Sequence, residues 1–139
     1  MMKEILLRVE KVANQFNESI MNPATDKQIE TFKKWAAENG IEAKEYIDFV
    51  KIVNGMDFDG LVVYSINDLD NINIYKLNSE WHEVEENLQY IFFADSDMTW
   101  YCFDKKGKMF CELSKPSATL LKTYTNFSEM ILPALELLL

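Results

Sequence analysis

The stretch that decides the fold is Tyr46–Ile66, YIDFVKIVNGMDFDGLVVYSI. Its first half spaces Tyr46, Ile47, Phe49, Val50 and Val53 one, three and four residues apart, the mark of a helix with one apolar face. Lys44, Glu45, Asp48 and Lys51 take the solvated face. Asn54-Gly55 closes that helix, because glycine enters the left-handed conformation without a Cβ penalty. Met56–Gly60 reads as an acidic turn, and Leu61–Ile66, rich in β-branched residues, as a strand. Helix, turn and strand in this order fix where the rest of the chain must pack.

Upstream, Ile5, Leu6, Val9, Val12, Ala13, Phe16 and Ile20 fall on one face of a helix over residues 3–18. Asn22-Pro23 ends it, since proline disfavours helical geometry in the residue before it. Thr25-Asp26-Lys27-Gln28 has the form of a capping box and opens a second helix over 26–39, with Ile29, Phe32 and Ala36 inward and Trp35 on the flank. Asn39-Gly40 terminates it, and the third helix covers 43–54.

Downstream, residues 67–88 mix asparagines with Leu69, Ile72, Tyr75, Leu77, Trp81, Val84 and Leu88. The spacing favours a helix over 72–85, against the poor helix propensity of asparagine. Tyr90–Ala94 is an unbroken apolar run, as expected of a central strand. Asp95-Ser96-Asp97 turns the chain into a strand over 99–103. Asp104–Gly107 forms a tight turn, and a strand over 108–113 follows. Leu120–Tyr124 is a loop or short strand after Pro116. Ser128 is the expected N-cap of a last helix through Met130, Ile131, Ala134, Leu135 and Leu138, with Pro133 in its first turns. The whole predicts one α+β domain over 1–139: N-terminal helices, a central, largely antiparallel sheet and a C-terminal helix.

Composition bounds the function. A net charge of −9 and a pI near 4.6 disfavour nucleic acid and anionic membrane, which repel an acidic surface, and suit a basic protein partner. No apolar run approaches the ~18 residues of a membrane span. The start, MMKEILLRVEKV, is too interrupted by charge for a signal peptide. Two cysteines without a secretory signal point to a reducing, cytoplasmic setting.

The ordered motifs resemble the SUKH superfamily. They are Tyr46-Ile47-Asp48-Phe49 leading to Asn54-Gly55, Phe58-Asp59-Gly60-Leu61, Tyr90–Asp97, Trp100–Asp104 and Phe127-Ser128-Glu129-Met130. Asn22-Pro23-Ala24-Thr25 is similar to the YrhA-like bacterial branch. The chain departs from that pattern at Glu42-Ala43-Lys44, where relatives often carry a proline, and at Ala94, where they usually carry glycine. The resemblance implies a SUKH-like fold and a bacterial immunity protein that neutralises a toxin by direct binding. Such toxins are often nucleases, which must attract phosphate and so tend to be basic.

No catalytic, cofactor or metal constellation stands out. His82 is the only histidine, too little for a triad or a catalytic zinc site, and it reads as a solvated helix residue. A turn centred on Lys106-Gly107 sets Cys102 opposite Cys111, with Cβ atoms ~4.5–5.5 Å apart, as small buried hydrophobes. The pairs Asp57/Asp59, Asp68/Asp70 and Asp95/Asp97 lack the further oxygen ligands of a calcium loop and form turns. Asp57, Asp59, Asp95 and Asp97 are the expected partner-facing charges. Trp100 and Tyr101, with Tyr64 and Trp81, are the candidate aromatic anchors. A regulatory or scaffolding module without a toxin is the alternative function, and an enzyme or small-ligand binder using the acidic turns is a third.

Overall fold

Six strands form one antiparallel sheet in chain order, β1 to β6: β1 Met56–Phe58, β2 Leu61–Val63, β3 Tyr90–Asp95, β4 Thr99–Asp104, β5 Met109–Ser114 and β6 Leu120–Tyr124. The computed structural model describes residues 1–139. Three helices precede the sheet, α1 Met2–Asn14, α2 Asp26–Glu38 and α3 Lys44–Val50. The helix α4 Ile74–Trp81 and a 3-10 turn Glu85–Asn87 lie between β2 and β3, and α5 Phe127–Glu136 closes the chain. The architecture is α+β, as the periodicity predicts. No helix is long and apolar enough to cross a membrane.

Successive residues of a strand face opposite sides of the sheet, and β3 uses both. Phe93 points to the α3/α5 layer, its ring 4.9 Å from Tyr46 and 5.7 Å from Phe127. Phe92 points to the α4 side, 5.2 Å from Trp100 and 6.4 Å from Trp81. Burial on both faces explains the unbroken apolar run of Tyr90–Ala94 and puts that strand third of six. Tyr46 joins the layers: it packs on Phe32 of α2 at 5.2 Å, and its hydroxyl donates to the Tyr64 carbonyl at 2.6 Å.

The local signals succeed where short-range geometry rules. Thr25 Oγ1 accepts from Gln28 N at 3.2 Å, and Gln28 Oε1 accepts from Thr25 N at 2.9 Å, completing the capping box. Gly40, at φ +68°, follows α2 as expected. Cys102 and Cys111 are direct cross-strand partners, both buried and free.

Several boundaries differ from these expectations. α1 ends at Asn14, short of Glu18. α3 ends at Val50, so Asn54-Gly55 does not cap it. Asn54 is buried instead, where its Oδ1 accepts from Ile66 N at 2.8 Å and its Nδ2 donates to Gln28 Oε1 at 3.1 Å. Gly55, at φ +83°, lies so close to Ser65 that a Cβ would sit 2.6 Å from the serine Cβ. The expected acidic turn at Met56–Gly60 contains the edge strand β1, and only Asp59-Gly60 turns, with φ +49° and +86°. Positive φ at both turn residues suits the right-handed twist of a two-residue hairpin.

β2 stops at Val63 rather than Ile66, because Ser65 N and O bond to Ile72 and Ile74. The helix expected over 72–85 is confined to Ile74–Trp81. Asn73 caps α4, accepting from Lys76 N at 2.8 Å. Asn126, not Ser128, caps α5, accepting from Glu129 N at 2.9 Å. Ser128 N donates to Glu45 Oε1 at 2.9 Å, which fastens α5 to α3. Pro133 lies in the interior of α5 rather than its first turns.

A candidate protein-docking groove

Two hairpin turns and the end of α5 converge at one end of the sheet. Asp59, Gly60 and Leu61 come from the β1–β2 turn; Ser96, Asp97 and Met98 from the β3–β4 turn; Ala134, Leu137 and Leu138 from α5; and Tyr101 from β4. Together they line an open groove of about 300 Å³. Each turn is held by its own backbone: Phe58 pairs with Leu61, and Ser96 N donates to Thr99 O at 2.8 Å. The turn backbones thereby place Asp59 and Asp97 on the rim. Both are exposed, and neither has an ion-pair partner within the fold.

Between them the surface is apolar. Met98 is 75% and Leu137 84% exposed, over a floor of buried Leu61, Leu138 and Tyr101. Scattered exposed apolar residues need no explanation, but Met98 and Leu137 line one concavity that carries unpaired charge on its rim. The phenol of Tyr101 is pushed above its ordinary range by burial and then by Glu112, so it stays neutral.

The sequence-predicted residues divide here. Asp59, Asp97 and Tyr101 meet in the groove. Asp57 lies outside it, exposed on β1. Trp100 and Tyr101 are 3% and 8% exposed, and Tyr64 is fully buried, so these aromatics pack the core and offer little as protruding anchors. Trp81 is half-buried, its ring 5.3 Å from Trp100.

Asp95 is also withdrawn from the rim. Its Oδ2 accepts from the Tyr64 hydroxyl, and its Oδ1 lies 3.5 Å from Lys115 Nζ. Trp81 Nε1 donates to the same Tyr64 oxygen at 3.0 Å. Lys115 Nζ in turn donates to Ser96 O at 2.9 Å and sits 5.7 Å and 6.0 Å from the Trp81 and Trp100 ring centroids. Burial and then the Asp95 carboxylate hold the Tyr64 phenol far above its ordinary range. This network fastens the β3–β4 turn to the chain after β5. It stabilises the groove wall and leaves Asp95 no free charge.

His82 is not merely solvated. It is half-buried at the end of α4, where Nε2 donates to Tyr90 O at 2.7 Å and the ring lies 6.0 Å from Phe92. No group of three or more His, Cys, Asp or Glu side chains is arranged to hold a metal ion. Met98 and Leu137 were missed from sequence, where each looks like an ordinary core hydrophobe; only their exposure in the fold singles them out. No protein-family model and no curated protein matches the chain.

Proposed function

We propose that this chain is a non-catalytic, protein-binding immunity protein that neutralises a basic bacterial toxin by direct contact. The observation that carries the reading is the pair of unpaired carboxylates, Asp59 and Asp97, on the rim of an apolar groove. A net charge of −9 draws a basic partner from a distance, and complementary rim charges then set its orientation. Once docked, the apolar floor excludes water and slows release. A toxin covered over its phosphate-attracting surface loses access to its substrate. The SUKH-like order of motifs supports the same role.

The test is co-expression with the product of the neighbouring gene. The expected result is a co-purifying complex and protection of cells from that product. A neighbour that neither binds nor harms cells would remove the immunity reading.

A further inference from the structure

We infer that the docking surface extends beyond the groove, along the β1 edge to the end of α1, and takes a single basic segment of a partner protein that alternates cationic and apolar side chains. This inference rests on the protein-binding reading above and names the partner's chemistry. Two more depressions adjoin the groove. One, of about 280 Å³, is lined by Val12, Phe16, Glu18, Asp57, Phe58 and Asp59, and so shares Asp59 with the groove. The next, of about 340 Å³, shares Glu18, Asp57 and Phe58 with it and continues to Ile20, Met56 and Ile72.

Charge selects the occupant. Glu18, Asp57, Asp59 and Asp97 line these depressions, and no lysine or arginine lines any of the three, in a chain that has 14 of them. The cations gather elsewhere: Lys33, Lys44 and Lys51 line a depression between α2 and α3, and Lys105, Lys106 and Lys108 occupy the β4–β5 turn. None of the four carboxylates is ion-paired within the fold.

Shape selects it too. Phe16 is 66% exposed, its ring 6.3 Å from Phe58. Phe16 in one depression and Met98 with Leu137 in the groove thus form two exposed apolar patches, with Asp57 and Asp59 lining the depressions that hold them. A uniformly cationic ligand would satisfy the carboxylates and leave those patches wet. An apolar one would leave the carboxylates desolvated and unpaired, at a heavy cost. A segment carrying lysine or arginine between leucine or phenylalanine residues satisfies both, its aliphatic stems lying over the apolar patches and its heads at the carboxylates.

The probes are two synthetic peptides of equal charge, one alternating arginine and leucine and one alternating arginine and serine, titrated into the full chain and followed by backbone amide NMR. The arginine–leucine peptide is expected to shift amides at residues 16–20, 57–61 and 96–98 and to bind at least tenfold more tightly. Asp59→Asn/Asp97→Asn and Phe16→Ser/Met98→Ser should each weaken it at least fivefold, with amide spectra showing that the variants remain folded. Equal affinity for the two peptides, shifts centred on another face, or no binding at millimolar peptide would each overturn the inference. A toxin that binds as tightly to both variants as to the parent would leave the immunity reading standing and this surface wrong. Peptide binding at this face without any toxin partner would do the reverse.

Discussion

Replacing Asn78 by alanine should remove more stability than any other single polar truncation in α4. The side chain is buried and makes three hydrogen bonds: Nδ2 donates to Ile74 O and to Phe92 O at 2.8 Å each, and Oδ1 accepts from Phe92 N at 2.7 Å. β2 pairs with β3 only at Ala94 and Asp95. At Phe92 the carboxamide of Asn78 takes the place of a neighbouring strand and satisfies both backbone groups. Alanine leaves the Phe92 N–H and C=O without that partner next to a bulge in the β3–β4 register. At about 1–3 kcal/mol for each of the two buried unsatisfied groups, the expected loss is about 2–6 kcal/mol. Urea unfolding measures it, as a fall in midpoint at unchanged slope. Ser79→Ala, exposed on the same helix, is the control and should stay within about 0.5 kcal/mol. The Phe92 amide should also exchange faster in the Asn78 variant. A loss below about 1 kcal/mol, with the Phe92 amide still protected, would refute the claim that this side chain completes the sheet.

Gly55→Ala should destabilise by more than about 2 kcal/mol, through positive φ and the 2.6 Å approach to Ser65 Cβ together; a thermal midpoint unchanged within error would contradict the close approach. Asp95→Asn should cost about 1–3 kcal/mol by uncoupling Tyr64 and Lys115, whereas Asp59→Asn and Asp97→Asn should stay within about 0.5 kcal/mol and instead slow toxin association at low salt, as stopped-flow mixing would show. Burial and then Cys111 hold the Cys102 thiol well above its ordinary range, and burial and then Asp104 push Cys111 up to about 12. The unfolded chain therefore loses these protons first, so their contribution is complete below about pH 9 and is lost as pH rises towards about pH 12. Urea midpoints measured across that window should fall less in a Cys102→Ala/Cys111→Ala variant than in the parent. His82→Ala should cost about 1 kcal/mol through the lost bond to Tyr90 O and leave partner binding intact, as binding assays on the folded variant would reveal.

Sequence alone determined the features whose physics is local. The capping box at Thr25, the glycine after α2 and the hairpin that aligns Cys102 with Cys111 all depend on residues close to one another in the chain. So did the alternation of helical and strand periods that makes the chain α+β. The tertiary structure decided what the asparagines do. Asn54, Asn73 and Asn78 read as a helix stop and poor helix formers. Each is in fact buried, bonding to backbone that periodicity cannot place: Asn54 to Ile66, Asn73 to Asp68, Asp70 and Lys76, and Asn78 to Phe92.

The same limit divided the acidic residues. Asp95 and Asp97 are two apart and chemically identical, but Lys115 and Tyr64 reach only the first. Met98 and Leu137 lie far apart in the chain and line one groove because the β3–β4 turn folds back against the end of α5. Spacing along a chain encodes which face of its own element a side chain takes. Whether that face meets core, a compensating charge or solvent depends on elements tens of residues away, and only the packed fold brings them together.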